Sequence, residues 1–268
     1  MRIKSIEQLE PIIKDLQLNL GMSGRVGFVE NYRGQSHDVF KLENGIGRFK
    51  YRASTLRRKE RKLFDKFIQK VKNGDLGIIQ DPYKSKKYPF IEEWFYMYQA
   101  QHLGMKTRLM DWTAKWIIAL LFAVCEEEYF GIDGQFWIFI CPRKYIVNSG
   151  NLDRIYNEHP LEVKESYMIN SPYYQDVSYK DHVAERRRTR QHGRFFIQSF
   201  DKAIVSLEEQ PELRPHLHKY IIDGDSKERI REELGCITED WVYYRQDDLI
   251  EEEVKKLNKV IETKCFWE

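Results

Sequence analysis

Three short polar segments hold the side chains of this chain that could do chemistry: Tyr32-Arg33-Gly34-Gln35, the run over residues 99–113, and Gln191-His192-Gly193-Arg194. An arginine offers a planar set of donors that fits phosphate or carboxylate oxygens. Gly34, next to Arg33, would let the backbone approach a ligand closely. The plainer alternative is a surface arginine beside a turn glycine. In the middle segment Phe95, Gln99 and His102 recur at i, i+4 and i+7, which puts them on one helical stripe. Gln99 and His102 can then face one site together, or decorate a partly exposed face. Gln101, Thr107, Arg108, Asp111 and Thr113 crowd the same stretch. Asp111 or Thr113 suits the N-cap of an apolar helix that starts at Trp116. The free N–H groups of such a helix start also suit an anion, with Arg108 beside them. His216 and His218 alternate as a metal pair would, but no third ligand stands near them, so no metal is expected.

These segments need elements to bring them together. Ile6, Leu9, Ile12, Ile13 and Leu16 follow the helical period and predict a first amphipathic helix over 5–18. Gly21 and Gly24 break it. Val26, Phe28 and Tyr32 then alternate toward Arg33-Gly34, the pattern of a half-buried strand that ends in a turn. A charged helix over 54–71 has Leu56, Leu63, Phe64, Phe67 and Val71 for one face. Loop residues around Gly74, Gly77 and Asp81-Pro82 separate it from a helix over 92–102 that stops at Gly104. Residues 107–113 read as a compact turn before the apolar helix 116–124, in which Ala119 and Ala123 form a small-residue stripe for close packing against a sheet. Asp133-Gly134 leads into a strand over 135–140 that Pro142 ends. Tyr145-Ile146-Val147 could extend the sheet. Further strands are expected over 195–200, 220–222 and 241–244. A helix over 226–234 has Asp225 and Glu228 spaced as a capping box and Gly235 as its stop, and a charged helix over 248–262 closes the chain.

No linker-like stretch interrupts the 268 residues, so one domain over 1–268 is expected. With 42% hydrophobic and 14% aromatic residues, a ring-rich core needs no metal or disulfide staple. The balance of 44 basic against 42 acidic residues leaves a formal charge of +2, so bulk charge gives no argument for nucleic acid. Two local basic runs, 50–62 and 186–194, are either solvated faces or phosphate contacts. Cys125, Cys141, Cys236 and Cys265 lie far apart without C-x-x-C spacing, the pattern of a reduced cytosolic protein. The N-terminus lacks an apolar signal block, and the longest apolar run, 116–125, is too short to cross a bilayer. A cytoplasmic protein with no membrane partner is the expectation.

The segment Tyr32-Arg33-Gly34-Gln35, the run AQHLGMKTRLMDWT over 100–113, the ALLFAV helix with its DGQFWIF strand, and the RQHGRFFI segment occur together and in this order. In these the chain resembles the FRG-domain family of bacteria and phages, over roughly 25–250. Tyr32 stands where the name-giving residue is Phe, and Leu103 and Met110 stand where relatives more often carry Tyr and Leu. The resemblance implies a role in bacterial toxin action or anti-phage defence.

A second resemblance, to mono-ADP-ribosyltransferases, rests on the order of Arg33-Gly34, Thr113 with Ala119 to Ala123, the strand from Gly134 to Ile140, and Gln191 shortly before Phe196. It implies an α+β fold in which a central split mixed sheet is flanked by helices, with a cleft where Arg33 clamps the diphosphate of NAD or another nucleotide. Arg33, His102, Asp111, Gln191 and His192 would be its catalytic residues, with Gln191 and His192 near the reacting ribose. Tyr32, Gly34, Gln35, Gln99, Gln101, Thr107, Arg108, Thr113 and Arg194 would hold the nucleotide. Gln191 and His192 stand where that family has a catalytic glutamate, and an amide supplies no charge; Glu185 is a substitute carboxylate and His192 a candidate base. Two alternatives stay open. One is a non-enzymatic module that binds RNA or DNA through Arg186, Arg187 and Arg188 with aromatic stacking, and the other is a buried polar network that specifies the fold.

Overall fold

A computed structural model of the chain describes residues 1–22, 29–76, 85–169, 192–235 and 254–259. Its elements in order are β1 (Arg2–Ile3), α1 (Ile6–Met22), β2 (Val29–Gln35), α2 (Ala53–Lys72), α3 (Ile91–His102), β3 (Leu109–Thr113), α4 (Trp116–Val124) and β4 (Gly134–Cys141). There follow β5 (Ile146–Val147), α5 (Asp153–Tyr156), β6 (Tyr167–Ile169), β7 (Gly193–Ile197), α6 (Phe200–Ala203), β8 (Leu217–Ile222) and α7 (Lys227–Leu234). Residues 254–259 are also helical.

The strands form one mixed sheet in the order β1-β8-β4-β2-β3-β7-β6-β5. The β1–β8 and β5–β6 pairs are parallel and the rest antiparallel. The fold is therefore α+β with a mixed sheet, as expected. What matters for the site is how the middle is joined. β2 pairs with β4 at every position from Val29 to Gln35, and β3 pairs with β7 at every position from Leu109 to Thr113. Between β2 and β3 the register holds a single pair, Tyr32 with Thr113. Beyond that pair the two halves of the sheet separate, at Arg33 on one side and Asp111 on the other.

Side-chain alternation along β4 divides the core. Phe136, Ile138 and Ile140 pack with the α4 residues Ala119, Leu120, Ala123 and Val124, while Trp137, Phe139 and Cys141 join Trp112, Met168 and Phe196 in a second cluster. Helices α2 and α3 cover the other half of the sheet through Leu63, Phe64, Trp94 and Tyr98 against Phe195 and Ile197. Close approach of α4 depends on small residues, as its Ala119–Ala123 stripe predicts: a Cβ on Gly34 would lie 1.8 Å from the Ala119 carbonyl oxygen. Gly34 therefore makes room for a helix, and it sits inside β2 rather than in a turn.

Several local expectations need correction. Residues 109–113 are a strand, because β7 pairs with every one of them. Neither Asp111 nor Thr113 caps α4. Its N-cap is Lys115 without a side-chain bond, and Thr113 Oγ1 instead accepts from the Lys115 N–H at 3.1 Å. The strand expected to run to Phe200 stops at Ile197, and Phe200 opens α6 with its ring 3.7 Å from the Arg108 guanidinium. The capping box at Asp225 is absent: a 3-10 turn over Gly224–Ser226 leads into α7, whose N-cap Ser226 makes no side-chain cap bond to the helix. The strand expected over 241–244 lies outside the described residues. Among the described residues no helix is long and apolar enough to cross a membrane.

One packed histidine gives the fold a pH dependence. His159 Nδ1 accepts from the Leu161 N–H at 3.1 Å, and the ring packs edge-on to Phe64 and Phe90. Burial, ahead of the neighbouring charges, lowers its pKa below the ordinary 6.5. The unfolded chain thus takes up this proton first as pH falls. The stabilisation is fully present above pH 6.5 and is lost as pH falls from there through the lowered folded value. The melting temperature should drop from pH 7.5 to pH 5.5, and His159→Gln should flatten part of that drop; an unchanged slope in the variant would remove His159 from the account.

Candidate functional site

The separation of β2 from β3 opens a cleft of about 350 Å³, within the range of small-molecule sites. Arg33 spans the gap: its Nη1 donates to the Asp111 carbonyl oxygen. Its Nε is inaccessible to solvent and has no protein partner. Burial pulls the Arg33 pKa down, the Asp111 carboxylate opposes that, and the positive charge of Arg48 adds to it. Arg48 lines the same cleft from the 3-10 turn Gly47–Phe49 and is exposed. Two guanidinium groups close enough to repel define a place where an anion is stabilised.

Carboxylates enter from two directions. Asp111 is exposed at the cleft, and its Oδ2 accepts from Gln101 Nε2 at 2.9 Å. Gln101 Oε1 in turn accepts from Thr107 Oγ1, and Thr107 is wholly buried. Glu126, just past the end of α4, is the second. Its Oε2 accepts from Ser36 Oγ at 3.0 Å. The Ser36 carbonyl accepts from the ammonium of Lys227, a lysine with no exposed surface. The same ammonium donates to the Tyr129 carbonyl at 3.0 Å, and burial lowers its pKa. A buried cation thus fixes the loop that orients Glu126.

Of the expected site residues, Tyr32, Arg33, Gly34, Gln35, Gln101, His102, Asp111, Thr113 and Arg194 all border this cleft. Arg194 does so with Nη1 committed to the Glu30 carbonyl and Asn31 Oδ1, both at 2.8 Å. Arg108 is not brought to it. That side chain is fully buried, bonded to Glu60 and to the carbonyls of Gln198 and Pro160. Thr107 stands behind Gln101, and Gln99 is half-buried outside the lining. His192 is exposed beyond it, with φ 47°, and its carbonyl accepts from the Ala114 N–H at 3.1 Å. Partial burial, then Lys115 and Arg194, keep its imidazole pKa below the ordinary value. Gln191, Glu185 and Arg186 to Arg188 lie outside the described residues.

The cleft also contains residues that the sequence pattern did not single out: Arg48, Glu126, Ser36, Phe40 and Phe122. Only Glu126 carried a signal. Three glutamates, 126–128, directly follow α4, where carboxylates oppose the helix dipole, so a use for one of them was worth seeking. Cysteine chemistry is disfavoured at the described thiols: burial raises the pKa of Cys141 and pushes Cys125 up to about 11. Among the described residues no three His, Cys, Asp or Glu side chains gather as a metal site. Several members of the basic run over 50–62 have partners within the chain, most of them at the surface. Lys50 pairs with Glu43, Arg57 and Arg61 pair with Glu162, and Lys59 sits over the Tyr51 ring.

Sheet and cleft together define an α+β protein with a charged cleft at the split of a mixed sheet. Residues 30–131 match the model of the FRG domain, and the chain carries that domain. No curated protein and no solved structure matches the chain. The matched stretch contains Arg33, Arg48, His102, Asp111 and Glu126, so it supplies most of the cleft's charge, while Arg194 enters from outside it.

Proposed function

We propose that the cleft binds a nucleotide, NAD foremost, and that the chain is an ADP-ribosyltransferase-like effector of bacterial toxin action or anti-phage defence, working in the cytoplasm. The observation that carries this reading is the meeting of Arg33 and Arg48 with two carboxylates, Asp111 and Glu126, at one split in the sheet. The arginines suit a diphosphate. The carboxylates suit ribose hydroxyls and the positive charge that develops at the ribose carbon when its bond to nicotinamide breaks. That charge is what Gln191 cannot supply, and Glu126 answers the need from a different part of the chain. In the transfer itself nicotinamide leaves as a neutral base, the acceptor's nucleophile bonds to the ribose carbon, and its proton passes to a base, for which His102 borders the cleft.

The test is a melting curve with and without NAD, ADP and ATP. A ligand at about 100 times its Kd stabilises a folded protein by about 2.7 kcal/mol, which is readily measured. NAD should raise the melting temperature of the wild type. Arg48→Ala should lose most of that rise without a stability cost of its own, because Arg48 is exposed and makes no ion pair among the described residues. Loss of one charged contact to phosphate is worth roughly 1.5–3 kcal/mol, about ten- to a hundredfold in affinity. If no nucleotide shifts the wild type, the reading fails. Salt-sensitive binding of RNA or DNA, abolished by neutralising Arg186, Arg187 and Arg188, would then favour the nucleic-acid module.

A further inference from the structure

Phe40, on the border of the cleft, packs with His37 and Tyr129 in a three-ring cluster, with centroid separations of 5.4 Å, 5.7 Å and 6.0 Å. Phe40 borders the cleft and is 40% exposed, and its neighbour Val39 is 69% exposed. An exposed phenylalanine on a surface loop needs no explanation by itself. This loop, however, is held by three buried polar side chains from three elements. Gln135 of β4 donates to both the His37 and the Phe40 carbonyl, at 3.0 Å and 2.8 Å. Gln35 of β2 donates to the Lys41 carbonyl at 3.2 Å. Lys227 of α7 bridges the Ser36 and Tyr129 carbonyls, joining the two chain segments that carry the rings. The rings are therefore fixed in place before any ligand arrives, which reduces the ordering cost of binding.

A second observation points the same way. Gln35 is 6% exposed and borders the cleft, yet its Oε1 has no donor. A buried acceptor left unpaired is costly unless a ligand or water supplies the N–H. A flat apolar ring, an open acceptor beneath the loop, and the arginines beyond it match the parts of one kind of ligand. Those parts are a heteroaromatic base with N–H donors and a phosphate-bearing sugar.

We infer that Phe40, backed by His37 and Tyr129, is a preassembled base-stacking subsite, so that the cleft takes a nucleotide by its base as well as by its phosphates. This rests on the nucleotide reading of the cleft and adds which part of the ligand the loop recognises. The experiment is calorimetric titration of the full chain, wild type, Phe40→Ala and Phe40→Tyr, with ADP and with inorganic pyrophosphate. The expected result is that Phe40→Ala weakens ADP binding about tenfold, that pyrophosphate binding is the same in all three proteins, and that Phe40→Tyr behaves as wild type. Equal ADP affinity in wild type and Phe40→Ala would overturn the stacking subsite while leaving a nucleotide cleft in place. Wild-type binding of pyrophosphate as tight as that of ADP would overturn it too, leaving an anion site only. Failure of the wild type to bind either probe would overturn both the subsite and the nucleotide reading.

Discussion

Glu60→Ala should lower the melting temperature by about 10 °C, one of the two largest effects expected of a single substitution in this chain. Glu60 and Arg108 are both essentially without exposed surface. Glu60 Oε2 accepts from Arg108 Nε and Oε1 from the Arg108 N–H, each at 2.7 Å. The rest of the guanidinium donates to the Gln198 and Pro160 carbonyls and lies over the Phe200 ring. Every charge in this arrangement is answered, and none of it reaches water. Removing the carboxylate leaves a buried cation without a counter-ion, a change that typically costs about 3–5 kcal/mol. Each kcal/mol lowers the melting temperature by roughly 2–4 °C in chains of this size class. The double variant Glu60→Ala with Arg108→Met should recover a good part of the loss, since no isolated charge then remains. A Glu60→Ala protein that melts with the wild type would show that the pair is not the anchor described.

That pair also shows where sequence reading stops. Arg33 and Arg108 are the same residue type in equally polar surroundings, and both suit an anion. What separates them is tertiary: Glu60 lies 48 positions before Arg108 and reaches it only after α2 packs under the second half of the sheet. The long elements were legible for a physical reason. α4 is apolar on all sides and β4 is buried at every position, so burial alone left them few alternatives. β3 was not legible, because its five residues LMDWT carry an aspartate and a threonine and it meets β2 at one pair only. Polar density in a sequence can mark a turn or a strand at the edge of a cleft, and its period does not distinguish them. The polar groups of β2, of β3 and of the end of α3 were visible as candidates. Arg48 and Phe40 were not, because they stand in irregular chain: bonds from Gln135, Gln35 and Lys227 set the loop of Phe40, and Asn44 Oδ1, accepting from the Gly47 N–H, sets the turn of Arg48.

Gly34→Ala is the second large effect, and it divides the Arg33-Gly34 pair into two roles. The Cβ of an alanine there would lie 1.8 Å from the Ala119 carbonyl oxygen, 2.7 Å from the Ala123 nitrogen and 2.9 Å from the Ala119 carbonyl carbon. All three are backbone atoms of α4, so no side chain can swing away. The helix itself must move outward from β2, which opens the core formed by Ala119, Leu120, Ala123 and Phe136. Overpacking of a tight core costs typically 1–3 kcal/mol and occasionally more. With rigid backbone as the obstacle, about 3 kcal/mol or outright failure to fold is expected. Gly150→Ala is the control, because the only atom near its added Cβ is the Asn148 side-chain oxygen at 3.3 Å, and surface changes of that kind stay within about 0.5 kcal/mol. The displacement would also carry Phe122 and Glu126 away from the cleft, since α4 and its C-terminal end form that wall. Ligand binding should therefore fall together with stability in Gly34→Ala, whereas Arg48→Ala should lose binding alone. A Gly34→Ala protein with wild-type melting and a selective loss of nucleotide would return Gly34 to the ligand side of the site and refute its role as the contact between sheet and helix.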